Sequence, residues 1–141
     1  MSDPISKGGF FVAGIFVAAG FTHATDLKAV QVFILAGQSN MEGQGVVDLD
    51  HPKYYNGGKG ILKNVMAANP DRYKHLKDAR GDWTIRDDVF VRFCNKQEVM
   101  KGGLTIGYTG YGSEKSRHHI GPELQIGHQL GDATTAPVLL I

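Results

Sequence analysis

A chain of 141 residues is enough for one domain and not comfortably two. With 42% apolar and 21% charged residues it is no disordered tail, and a net charge of +1 leaves no broad basic field for a nucleic-acid partner. The 19 glycines follow no fixed period, the single cysteine (Cys94) excludes an internal disulfide, and the scattered histidines form no metal-ligand cluster, so neither a metal nor a cofactor is expected.

In chain order, Lys7 precedes an apolar run of about 14 residues, Gly8 to Phe21, and then Thr22-His23-Ala24. This has the form of a secretory signal peptide, cleaved after Ala24. The run is short for a membrane span, which needs about 20 residues. An uncleaved anchor and a buried helix of the domain are the alternatives. Residues 25–141 are then the folded part, in a secreted or periplasmic protein, with no stable membrane contact unless the leader stays attached. Export also suits Cys94 as a lone buried thiol.

Ala29 to Ala36 reads as a strand buried on both faces. The stretch from Val46 to Gly60 is polar, contains Pro52 and Gly57-Gly58, and reads as a surface loop. Helices are expected at 61–68 and near 71–76. Residues 87–93 alternate, with Val89, Val91 and Phe93 on one face. Gly102-Gly103 then turns the chain into a second extended segment, Leu104 to Tyr108. Together they suggest a β-hairpin inserted in the loop region. Gly107 to Ser116 is glycine-rich and reads as a flexible stretch. Pro122 suits the first position of a helix, Glu123 suits its positive end, and Gly131 suits its close. Val138 to Ile141 reads as a buried parallel strand. It stops at the last residue, so the chain is expected to be part of a longer domain, with this strand lacking later neighbours.

The sharpest chemical feature is Gly37-Gln38-Ser39-Asn40-Met41, directly after the first strand. A serine at the C-terminal end of a parallel strand lies where open α/β sheets bind ligands. Gly37 permits a tight turn, and the N–H groups beyond it can face a developing oxyanion. The residues alone leave two readings open: a nucleophile, or a serine that only caps a helix.

Phe33 to Gly43 (FILAGQSNMEG) resembles the nucleophile block of the sialate O-acetylesterase and carbohydrate esterase 6 group, within the SGNH hydrolases. Ile120-Gly121-Pro122-Glu123-Leu124 is similar to that group's second block. The resemblance covers about Val30 to Ile141. It implies a three-layer α/β/α fold of flavodoxin-like type, incomplete here and carrying the inserted hairpin. It also implies removal of O-acetyl groups from carbohydrates, of sialate or acetylxylan type, through a serine acyl-enzyme. In that reading Ser39 is the nucleophile, and its own N–H and that of Gly121 form the oxyanion hole. Gln38, Asn40 and His119 are the candidate substrate contacts. Glu123 is expected to be a helix-start charge rather than an acid catalyst.

Two features of that group are missing: its Gln-Gly-Glu segment and its late Asp-x-x-His, which supplies the base a serine needs. Asp48-Leu49-Asp50-His51 matches the second pattern literally but lies early in the chain. His118 and His119 precede Gly121 and could face a cleft mouth, while His128 is expected to pack or cap. Tyr108 and Tyr111 fit either sugar stacking or hairpin packing. A non-catalytic carbohydrate-binding fragment of the same fold is the alternative to an esterase.

Overall fold

Alternation of apolar and polar residues builds the longest strand of the protein. The computed structural model describes residues 29–48, 53, 57–96, 98–110 and 119–141. Residues 1–24, His51, Tyr111 and His118 therefore lie outside the described residues. Val89–Cys94 forms β3, whose Val89 and Val91 are buried while Phe90 and Arg92 are exposed. It pairs antiparallel with β4 (Val99–Gly103). The turn between them is at 95–98, where the Glu98 N–H donates to the Asn95 side-chain oxygen (2.8 Å). This corrects the expected turn at Gly102-Gly103, which lies inside β4.

The remaining strands of this sheet are β1 (Gln31–Phe33) and β6 (Val138–Leu140), and the order is β1-β6-β3-β4. β6 runs parallel to both β1 and β3. The hairpin is thus no insertion beside the sheet but half of it. Nor is β6 an unprotected strand: it is central, with Val138 and Leu140 buried. The edges are β1 and β4. The partner contacts of β1 continue past the strand, with the Leu35 N–H donating to the Ile141 carbonyl (2.6 Å).

Between β1 and β3 lie β2 (Gly45–Val46), α1 (Leu62–Ala68), α2 (Pro70–Tyr73) and a 3-10 turn (Lys74–Leu76). Both expected helices near 61–76 are present. Val46 and Val47, expected in a surface loop, are buried. Val46 pairs with His119 through β2 and β5 (His119–Ile120), a two-strand ribbon too short to leave a periodic signal. After β4, Leu104, Thr105 and Ile106 run through the core without strand pairing of their own.

α3 (Glu123–Ala133) covers the sheet. Pro122 is its N-cap, one position earlier than expected, and Gly131 does not end it. Both helical glycines mark close approach. A Cβ on Gly127 would stand 2.5 Å from Leu104 Cδ2, and one on Gly131 would stand 2.5 Å from Val89 Cγ2. Leu62, Met66 and Tyr73 pack against the same core of Val47, Leu76, Val89, Val91, Leu104, Ile106, Leu124, Val138 and Leu140.

All these helices lie on one face of the sheet. On the other, Val32, Ile34, Phe90, Val99 and Ile141 are exposed, Ile34 at 76%. The described residues thus make a mixed-sheet α/β arrangement with one covered face, where helices on both faces were expected. β1 in particular is an edge strand, not one buried on both faces. No described helix is long and apolar enough to cross a membrane.

Candidate functional site

β1 ends into a tight turn. The Met41 and Glu42 N–H groups both donate to the Gln38 carbonyl (2.8 and 2.9 Å), and the Gly43 N–H donates to the Asn40 carbonyl (3.3 Å). A Cβ on Gly37 would meet Met41 Cγ at 2.5 Å, so a larger residue there would have to displace the Met41 side chain. Ser39, Gln38 and Asn40 are exposed at this turn.

Residues 107–110, read as flexible from their glycines, strap the turn in place. The Thr109 hydroxyl reaches the carbonyls of Glu42 (2.8 Å) and Gly43 (2.7 Å), and the Gly110 N–H donates to Glu42 (2.8 Å). Gly43 sits at φ +83°, a left-handed conformation that favours glycine. A Cβ on Gly121 would lie 3.2 Å from Gly43 Cα. The two sequence blocks, nearly 80 residues apart, therefore meet backbone to backbone.

Beside this junction is a cavity of about 530 Å³ at the C-terminal ends of the parallel strands. Its wall combines Leu35 to Gly37, Met41 and Glu42 with Val91 to Lys96 of β3 and its turn. Pro122 and Glu123 of α3, and Leu140 and Ile141 of β6, complete it. No histidine is among these residues. Cys94, expected to be buried, is exposed here and receives a hydrogen bond from Arg92 Nη1 (2.9 Å). His119 lies on β5, half-buried, with its carbonyl accepting from Gly107 (3.2 Å).

Glu123 stands in the first turn of α3, as expected of a helix-start charge, but it is buried there. It is 5% exposed, and its Oε1 accepts the Gly121 N–H (3.0 Å). Burial pushes its carboxyl up to about 6, against the lowering effect of the Gly121 and Glu123 backbone N–H groups. The proposed oxyanion donor Gly121 thus spends its N–H on Glu123 here. Tyr108 packs on the hairpin, its hydroxyl donating to the Gly103 carbonyl (3.0 Å).

A second polar cluster lies away from this cavity. Arg86 bonds Asp88 through two nitrogens (2.9 and 2.8 Å) and Asp132 through a third (2.6 Å). His128 packs beside it, edge-on to His75 at 4.8 Å. Burial, with His75 and Arg86 nearby, pushes the His128 imidazole down to about 4. Arg86 has its carboxylates already, so the cluster fastens α3 to the start of β3.

The neutral folded His128 sets a pH dependence. Its folded pKa lies below the unfolded value, so the unfolded chain takes up the proton first as pH falls. Stability should be full above about 6.5 and drop by on the order of 2–3 kcal/mol on the way to about 4. Glu123 acts with the opposite sign, losing stability as pH rises through about 6. Urea unfolding at pH 7 and pH 4 in the wild type and in His128→Gln measures the difference. The variant should lack most of the loss between those pH values.

The chain, then, defines a mixed α/β domain with a serine turn and a cavity at the carboxyl ends of its parallel strands. Comparisons with family models, with curated proteins and with solved structures find no match for it.

Proposed function

We propose that the chain carries the serine half of a carbohydrate O-acetylesterase site, in a domain of flavodoxin-like SGNH type. One observation carries this reading. The Gly37 to Gly43 turn and the Ile120 to Leu124 block, which are the two blocks of the resemblance, are packed together at Gly43 and Gly121 beside the cavity. In this reading Ser39 attacks the acetyl carbonyl, and its own N–H faces the oxyanion. Gln38 and Asn40 offer amide groups to the sugar, with His119 as a further contact. The protein is exported, with residues 1–24 removed.

The test is active-site labelling with a serine-directed fluorophosphonate, followed by peptide mass spectrometry, on a complete version of the domain, with the chain joined to a segment bearing a late Asp-x-x-His. The label is expected on Ser39 and absent from Ser39→Ala. Labelling at another serine, unchanged in Ser39→Ala, would sink the assignment. The mass of protein from the extracytoplasmic fraction reports the leader: it should begin at Thr25.

A carbohydrate-binding module without catalysis is the second reading. The observation favouring it is the cavity wall, which holds no histidine among the described residues. Sugar binding with no fluorophosphonate reaction would decide for it.

A further inference from the structure

Glu123 is a buried carboxyl that the acyl-transfer reading leaves without a task. Three facts define its setting. Its Oε1 takes the Gly121 N–H at 3.0 Å, its side chain forms part of the cavity wall, and Gly121 abuts Gly43 of the serine turn. A Cβ on Gly121 would collide with the other carboxylate oxygen and lie 3.2 Å from Gly43 Cα, so a side chain at 121 would push the Glu123 carboxylate off its place. The carboxylate folds back over the very backbone group that an oxyanion would need.

We propose that Glu123 is a positioning residue that gates the second oxyanion donor, holding the Gly121 N–H when ionised and freeing it when neutral. This rests on Ser39 being the nucleophile. The physical reason is acceptor strength. A carboxylate makes a charge-assisted hydrogen bond about twice as strong as one to a neutral carbonyl, so a developing oxyanion competes poorly against it. Protonation weakens that hold without moving the chain. The titration is accessible because burial raises the carboxyl. The other ionisable groups on the cavity wall are Glu42 from the serine turn and Arg92, Cys94 and Lys96 from β3 and its turn.

The experiment follows the rate of Ser39 phosphonylation by a fluorophosphonate from pH 5 to 8, in the chain joined to a segment bearing a late Asp-x-x-His and in its Glu123→Gln variant. Glutamine keeps the shape and a weaker acceptor. Removing one oxyanion donor costs about 10²–10³ in enzymes where it has been tested. Glu123→Gln should therefore label at least about tenfold faster than wild type at pH 7.5 and equally fast at pH 5, without the wild-type inflection. Equal or slower labelling of a folded Glu123→Gln at pH 7.5 would overturn the gate. The Gly121 amide shift in the wild type gives a second measure by ¹H–¹⁵N NMR. It should titrate with the Glu123 carboxyl, and an amide that does not titrate overturns the proposal. Should Ser39 resist labelling in both proteins, the nucleophile reading fails and the gating role fails with it. A titrating amide would then leave only the Glu123–Gly121 bond.

Discussion

Hydrolysis of an aryl acetate by the 141-residue chain should stay close to background. Serine is a weak nucleophile until a base takes its proton. Among the described residues the cavity wall offers Glu42, Arg92, Cys94, Lys96 and Glu123, and no imidazole. Triad enzymes stripped of a member keep about 10³–10⁴-fold acceleration over water, from the oxyanion hole and binding. On the proposed esterase reading that is the ceiling, and a Glu123 that holds the Gly121 N–H would lower it further at neutral pH. Initial rates of wild type against Ser39→Ala measure what remains. Joined to a segment bearing a late Asp-x-x-His, the same serine should gain several orders of magnitude. Turnover at ordinary enzyme rates, about 1–10³ s⁻¹, would place a base inside this chain. His119 would be the first histidine to substitute.

Leu104→Ala should cost about 2–5 kcal/mol of stability. Leu104 is fully buried just beyond β4, and its N–H donates to the Val89 carbonyl (2.7 Å). Its two methyl groups fill the notch left by Gly127, so α3 rests on them. A small domain has about 5–15 kcal/mol in all, so this one change removes a large share. The urea midpoint should fall with little change in slope. A midpoint within experimental error of wild type would mean that α3 does not lie on Leu104.

Periodicity made the covered side of the sheet legible. Val89, Val91 and Phe93 alternate with Phe90 and Arg92, and Ile61 to Met66 repeat at helical spacing, so these elements were readable residue by residue. The glycines misled. Gly102 looks like a turn but makes room for Tyr108, whose hydroxyl would lie 2.5 Å from a Cβ there. Gly131 looks like a helix end but makes room for Val89 and Arg86. In both, glycine answers a neighbour distant in sequence, and no local rule reveals that. The apolar content of β1 suggested burial on both faces because composition does not report which strand stands at an edge. At the candidate site, the turn that carries Ser39 was legible from Gly37 and the strand before it. The burial of Glu123 was not, because a helix-start glutamate and a buried cavity carboxyl are the same letter. Only the approach of Gly43 to Gly121 separates them.

The pairing of β1 has a consequence for the order of assembly. Within the described sheet β1 touches β6 alone, and Gln31 lies opposite Val138. Closing that contact ties up a loop on the order of a hundred residues, an entropic cost paid before the pairing gives anything back. The hairpin of β3 and β4 forms from near neighbours and precedes it. The straps from Thr109 and Gly110 also come from late in the chain. The serine is therefore synthesised early and positioned last. Until Val138 has left the ribosome, Ser39 has no sheet to stand on.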